Sequence, residues 1–466
     1  MILKHHSPAE SSSTCYIERL PPEVAELICY SIDEKDVPNL RLVSKFWNNI
    51  ATRFLLGNVN LVFKPESFQR LLDISRHPLI SKHITSLYYE PNTLDDYTTQ
   101  YDWESNIINN SDTGAFGALP GPDASERELR AWRRNITKIR ERPRHNYSRS
   151  YLEKAYKEYT RMYAEQEELR RRDYGLQEFS DAMSRLPNLS EICMNHGWAI
   201  YVRRKDAINA FAAGLHYAGG DYCGIPFMSS LLLAVHEAGI KLSILQLGSV
   251  DWKFLQQSDE VLERMKSTLH YLTTLELAIS TGMDQSGNDI GVEIPKCRRY
   301  LSKNAKLAEF LAAAPNLKNL TISFDWYEPF CPAELNQTVG STTWPCLESI
   351  TWENIDATSE NINCFFERHA STLKHVTMRT MRLLEGTWIE TLQKMNKVLN
   401  LKSACIRGDL LGENPPQHWD LEPDLWAEHT DSRSQGNRTS KAIQDFLLQG
   451  GSCPLIDQDA HPQRGR

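Results

Sequence analysis

One local pattern, apolar-x-x-apolar-x-apolar, returns along the chain from residue 84 and constrains the fold more than any other feature. It reads Ile84/Leu87/Tyr89, Leu189/Ile192/Met194, Leu242/Leu245/Leu247, Leu272/Leu275/Leu277, Leu317/Leu320/Ile322, Leu347/Ile350/Trp352, Leu373/Val376/Met378 and Leu401/Ala404/Ile406. The last apolar positions of the final six frames lie 30, 45, 30, 26 and 28 residues apart. Alternation within a frame predicts a short strand, and the segments between frames carry helical periodicity. "KLAEFLAAAP" sets Leu307, Phe310, Leu311 and Ala314 on one helical face and stops at Pro315. "SENINCFFERHAST" does so with Ile362, Phe365, Phe366 and Ala370, and "WIETLQKMNKVLN" with Ile389, Leu392, Met395 and Leu399. "SSLLLAVHEAGI" ends at Gly239, a good C-cap residue. Such helix–turn–strand units cannot cover their apolar faces alone and must stack on one another, so the expected fold class is α/β.

Four of the five intervals resemble a leucine-rich repeat, which spans roughly 20–29 residues in regular forms. The Asn or Cys that follows the strand in regular repeats is replaced by Ser280, Asp325, Ile355, Met381 and Asp409, so the repeats are irregular. The expectation is a leucine-rich-repeat-like helix–strand solenoid over 186–450, closed by "SKAIQDFLLQGG" as an amphipathic cap. Residues 91–185 interrupt it. A polar, Gly-rich stretch ("TLDDYTTQYDWESNIINNSDTGAFGALPGP") reads as flexible loop. "ASERELRAWRRNITKIRERPRHN" and "SYLEKAYKEYTRMYAEQEELRRR" read as two charged helices broken at Pro143, the second packing through Leu152, Ala155/Tyr156, Tyr159 and Met162/Tyr163. From Gly412 to Thr439 the chain reads as polar loop.

The bulk numbers exclude several function classes. With 41% hydrophobic and 24% charged residues in 466, the chain can bury a substantial core. A net charge of −8 gives no general attraction to nucleic acid or acidic membranes. The arginines of the insertion alternate with acids, as on a solvated helical face. No run approaches the ~18 apolar residues of a membrane span. "MILKHHSPAESSST" lacks the apolar core of a signal peptide. Ten scattered cysteines, without a CxxC pair, read as reduced and mostly buried thiols in the cytoplasm or nucleus. No GxSxG elbow, phosphate-cradling Gly-Lys-Ser/Thr loop, HExxH or strand-borne GxGxxG is present. His5-His6 sits in an expected disordered tail, and "AGGDYCG" (218–224) reads as a turn. Trp198, Trp252, Trp326 and Trp344 read as packing residues. The expectation is no catalytic residue, no metal and no cofactor: a binding protein.

What it binds with is suggested by "LPPEVAELICYSIDEKDVPNLRLVSKFWNNIA", Leu20 to Ala51, which reads as three short helices. Pro21 and Pro22 suit a helix start. Val24, Leu27, Ile28 and Ile32 then share a face. Asp36 is a candidate N-cap for a second helix whose inner face is Leu40 and Val43. Ser44 can cap a third, with Trp47, Ile50, Ala51 and Phe54 as its stripe. Leu20, Cys29, Tyr30, Leu42 and Phe46 are left over. So small a unit, without disulfide or metal spacing, calls for a partner surface.

Leu20-Pro21-x-Glu23, Asp36, Leu40-Arg41-x-Val43-Ser44-Lys45, Trp47 and Ala51 resemble the F-box motif, with Ile32 standing for the leucine often found before the acidic turn. The resemblance extends to fungal F-box proteins whose motif is followed by irregular helix–strand arrays. It implies a small all-α head at 17–58 that docks the Skp adaptor of cullin–RING ubiquitin ligases through Leu20, Pro21, Pro22, Glu23, Leu40, Val43, Ser44 and Trp47. Around it lie an expected disordered N-terminus (1–16), a linker and first strand unit (59–90), the insertion (91–185), the solenoid (186–450) and a disordered tail (451–466). The implied role is a non-catalytic substrate receptor, its partners the adaptor, a cullin through it, and a target protein, with no nucleic acid and no membrane. A scaffold that acts outside ubiquitin transfer stays open as the alternative, and an enzyme ranks a distant third.

A target contact can also be read from the frames. By strand alternation the residue after the third apolar position points to the open side of the array. In three successive frames it is Glu353, Arg379 and Arg407, a ladder at roughly 4.8 Å spacing if the repeats stack in register. Asp409, two residues on, is expected past the strand. Arg407 is then the candidate for a target carboxylate or phosphate.

Overall fold

A computed structural model describes residues 20–33, 36–91, 93–94, 96–97, 99–110, 148–195, 224–281, 290–324, 331–421 and 432–455. The expectations for residues 1–16, His5-His6, the first charged helix, Trp198, the glycine-rich 218–223, Asp325, Trp326 and the tail beyond 455 lie outside the described residues.

The eight frames fall on eight consecutive strands, and one more strand flanks them on each side. In chain order these are β1 (Asn58–Val62), β2 (Ser86–Glu90), β3 (Glu191–Asn195), β4 (Ile244–Asp251), β5 (Thr274–Ser280), β6 (Asn319–Phe324), β7 (Ser349–Thr358), β8 (His375–Glu385), β9 (Ser403–Gly412) and β10 (Gln417–Asp420). They form one ten-stranded sheet whose spatial order is the chain order. Neighbours are parallel from β1 to β9, and β10 is antiparallel to β9. β10 corrects the expected loop at 412–439.

Register is locked before each strand begins. The Gly57 carbonyl accepts the N–H groups of Thr85 and Ser86, that of Thr85 accepts Ser190 and Glu191, and that of Ser190 accepts Ser243 and Ile244. The same double acceptance recurs at Ser243, Thr273, Lys318, Glu348 and Lys374. A fixed turn therefore presents each strand from β2 to β9 at the same height, and equivalent side chains align in columns. Leu61, Tyr89, Met194, Leu247, Leu277, Ile322, Trp352, Met378 and Ile406 form one buried column. Val59, Leu87, Ile192, Leu245, Leu275, Leu320, Ile350, Val376 and Ala404 form another, also buried.

Helices cover those columns. An N-terminal group, α1 (Pro22–Ser31), α2 (Val37–Leu40) and α3 (Lys45–Ala51), precedes the sheet; α4 (Pro65–Arg76) follows β1. The rest are α5 (Gln100–Asn110), α6 (Arg149–Arg171), α7 (Leu176–Met183), α8 (Ile225–Ala238), α9 (Asp259–Ser267), α10 (Ile290–Lys303), α11 (Lys306–Ala312), α12 (Leu335–Val339), α13 (Ser359–His369), α14 (Trp388–Val398) and α15 (Ser432–Gln449). Ser258, Thr358 and Thr387 cap α9, α13 and α14 by accepting the N–H three residues on. The long 45-residue interval is explained by two helices, α10 and α11, between β5 and β6.

Two expectations are corrected at the edges, and the second charged helix packs through the stripe expected of it. α5 occupies the stretch expected to be flexible loop, because Trp103 finds a burial site with Leu94, Leu152, Tyr159 and Met162. α6 is tied to the sheet by Gln166, whose Oε1 accepts the Leu94 N–H at 2.8 Å and whose Nε2 donates to the Phe63 carbonyl at 2.9 Å. At the far end Leu455 is buried in the main core, so packed chain extends past residue 450.

Candidate interaction surfaces

In the N-terminal group the core is small: Ala25, Cys29, Val37, Trp47, Ile50 and Ala51. Ala25 and Cys29, one turn apart on α1, are short enough to let Trp47 sit against the helix. That choice of inner face corrects the expected one. Ile28 and Ile32 are half-buried, but Val24 is 39% exposed and Leu27 67%. Tyr30, Leu42 and Val43 are exposed at 82%, 84% and 63%. Three large apolar side chains on α1 and two in the turn between α2 and α3 are thus exposed.

The eight expected adaptor residues separate by depth. Pro21, Pro22, Glu23 and Val43 are exposed, and Leu20 and Leu40 are half-buried. The Ser44 hydroxyl accepts the Trp47 N–H at 3.4 Å and caps α3. Trp47 is 1% exposed and props the surface from below. Asp36 stands at the N-cap of α2 without a side-chain cap bond. Val24 and Leu27, on the face expected to pack inward with Ile28 and Ile32, are exposed; the sequence signal for this is the small-residue pair Ala25/Cys29. Leu55 packs on this small core and the next residue, Leu56, on the main one. Arg53 lies near His83, whose pKa is lowered by burial first and by Arg53 and Lys82 after it.

The second surface is the face of the sheet turned away from the covering helices. There Glu353, Arg379 and Arg407 stand side by side on β7, β8 and β9. Glu353 and Arg379 approach to 3.8 Å, and Arg407 is engaged by its own neighbours. Asp409 is not past the strand. β9 runs to Gly412, and Asp409 accepts from His418 Nε2 on β10 at 2.8 Å when that nitrogen carries the proton. A left-handed residue follows each of the three, Asn354 (φ 59°), Thr380 (φ 47°) and Gly408 (φ 70°). Beyond this bulge Asp356 and Arg382 are cross-strand partners on β7 and β8. Asp356, fully buried, receives Arg382 Nε at 2.9 Å and Arg298 Nη1 at 2.7 Å. Arg298 thereby ties α10 to two strands.

Towards β2 the open face is acidic. Glu191 accepts from Ser86 at 2.7 Å and Tyr88 at 3.3 Å. Gln246 accepts from the Cys193 thiol at 2.7 Å and donates to Glu276 at 2.9 Å. Burial first, and Glu353 after it, raise the Glu276 carboxyl, against the Gln246 hydrogen bond. Burial and Glu191 push the Cys193 thiol up to about 12, and burial with Asp356 raises Cys331, so neither is an activated nucleophile. Among the described residues all eight cysteines are free, with Cys29, Cys193, Cys297 and Cys331 buried and Cys346 exposed. Among the described residues no group of three His, Cys, Asp or Glu could hold a metal, and no helix is long and apolar enough to cross a membrane.

Residues 17–58, which span α1–α3 and end on the first residue of β1, match the F-box domain. No curated protein matches the chain.

Proposed function

We propose that this chain is a substrate-recognition subunit of a Skp–cullin–F-box ubiquitin ligase, of the kind fungi combine with an irregular leucine-rich-repeat-like solenoid. F-box domains typically bind the Skp adaptor and, through it, a cullin. One observation carries the reading: Val24, Leu27, Tyr30, Leu42 and Val43 face outward within the F-box match. Pro21, Pro22 and Glu23 would extend that docking surface, Leu20 and Leu40 would form its half-buried rim, and Ser44 and Trp47 would hold it from beneath.

The sheet would hold the target. Strands in chain order, a fixed entry turn and helices over one face support a repeat array, with the other face as receptor surface. Glu353, Arg379 and Arg407 are its central candidates. The chain would contribute proximity, raising the effective concentration of a target lysine near the charged enzyme without doing chemistry itself. It would work in the cytoplasm, the nucleus or both.

Affinity purification of the full chain from its host tests this. Adaptor and cullin should co-purify, and Leu27→Asp should remove both. Adaptor without cullin would favour a scaffold outside ubiquitin transfer, and neither partner would refute the proposal.

A further inference from the structure

A cleft of about 320 Å³ opens between α10 and the turn that follows β4, walled by Trp252, Tyr300 and Asn304. α10 enters the main core through Cys297 and Leu301. On another face of the same helix, Lys296, Arg299, Tyr300 and Lys303 follow at i, i+3, i+4 and i+7, and all four line the cleft. The walls are fixed by their own contacts. The Tyr300 hydroxyl donates to the Leu255 carbonyl at 2.8 Å, and its ring packs on Trp252 at 5.4 Å between centroids. The Asn304 amide donates to the Tyr300 carbonyl at 2.9 Å.

The charge of this cleft is one-sided. Among the described residues no carboxylate lines it. The cations beside it are paired: Arg298 with Asp356 and Glu334, Lys306 with Asp259, and Lys266 with Glu263. Lys296 is engaged by its own neighbours. Arg299 and Lys303 are exposed and make no ion pair among the described residues, although they stand one turn apart and repel each other. The macrodipole of α10 favours a cation in its last turn, which accounts for Lys303 and leaves Arg299 unexplained. The buried indole N–H of Trp252 is a further donor, and it has no acceptor.

We propose that this cleft binds a small soluble anion carrying two or more linked phosphates. Arg299 would grip one phosphate through two parallel N–H donors, and Lys303 and Lys296 would hold the next as point charges. The three cations span about 10 Å along the helix, and the cleft volume falls within the range of small-ligand sites, about 300–1,000 Å³. A phosphate brings up to about two charges and three acceptor oxygens, so two of them suffice here where three separate carboxylates would be needed. The site lies apart from the open face of the sheet and goes beyond the receptor reading. Its ligand would join α10 to the turn after β4 and brace the array.

The test uses the full chain and tripolyphosphate as the probe, by calorimetric titration at fixed ionic strength, with citrate as the tricarboxylate comparison. Tripolyphosphate should bind about tenfold or more tightly than citrate and should raise the melting temperature. Arg299→Glu with Lys303→Glu, both exposed, should lower its affinity about a hundredfold with circular dichroism unchanged. Arg299→Lys should lower it only about threefold to tenfold, since the charge stays and the paired donors go. Arg407→Glu, on the open face, should leave it unchanged. No binding, citrate binding as tight, or an affinity that falls with Arg407→Glu and not with the double variant overturns the proposal. A doubly phosphorylated peptide that binds about tenfold more tightly than tripolyphosphate would make the ligand a protein chain and overturn the small-anion assignment.

Discussion

Replacing His369 should lower the stability of the array and change its dependence on pH, by amounts the local geometry dictates. His369 is 1% exposed. Its Nε2 lies 3.0 Å from the Trp344 backbone N–H, which can only donate, so Nε2 must be the unprotonated acceptor. The proton then sits on Nδ1, 2.9 Å from the Phe365 carbonyl, which can only accept. Both contacts are satisfied by the neutral ring alone. Trp344 stacks on it at 5.9 Å and Phe365 packs at 4.4 Å between centroids. His369→Ala would leave the Trp344 N–H buried without an acceptor, about 1–3 kcal/mol. Loss of a ring from between two aromatics adds a cavity cost of about 1 kcal/mol or more. A total of about 2–4 kcal/mol at pH 7 is expected.

The pH dependence has a definite sign. Burial first, and Arg368 after it, lower the His369 pKa from 6.5, against the Phe365 hydrogen bond, so the unfolded chain takes up a proton that the folded one refuses. Its contribution is therefore complete above about pH 6.5 and is lost as pH falls from there through the lowered pKa, at up to about 1.4 kcal/mol per pH unit. Denaturant unfolding of wild type and His369→Ala between pH 5 and pH 7.5 isolates this, because the other histidines are common to both. The stability difference should be largest near neutrality and shrink towards pH 5. A variant within 0.5 kcal/mol of wild type at pH 7, or a difference that is flat with pH, would refute the reasoning.

Other expectations follow from the same structure. Leu27→Ala with Tyr30→Ala should weaken adaptor binding by about thirtyfold or more in a pulldown titration with circular dichroism unchanged, as for loss of interface anchors; Trp47→Ala should instead unfold the head. Gly408→Ala should destabilise by about 2 kcal/mol or more in thermal melts, because a Cβ there would stand 2.3 Å from Thr380 Oγ1 and 2.9 Å from the Thr380 nitrogen at φ +70°. Deleting 439–450 removes the buried Ile443, Phe446 and Leu447 and the Ser440 hydroxyl that donates to the Ile406 carbonyl at 2.6 Å, so the exposed β9 unit should aggregate in light scattering.

The parts of the molecule legible in its sequence are those where one residue class has one physical solution. Two apolar positions of each frame must share a face of a strand, and the parallel sheet stacks those positions into columns. β1 obeys the same rule through Leu56, Val59 and Leu61, 28 residues before the next frame, and was legible too; adjacency to the head disguised it. β10 was not legible, since Gln417–Asp420 carries a single apolar residue, Trp419, too little for a periodic signal, and pairs on the edge that β9 offers. In the head the period was read correctly and the phase wrongly. A helix with apolar residues at 24, 25, 27, 28, 29 and 32 has two possible inner faces, and size decides between them: only Ala25 and Cys29 leave room for Trp47. Periodicity weighs hydrophobicity and is blind to volume, so it sends the larger residues inward. Where a tryptophan must be accommodated by a helix of ten residues, the larger residues are the ones displaced outward, and the displaced set is the surface left for a partner.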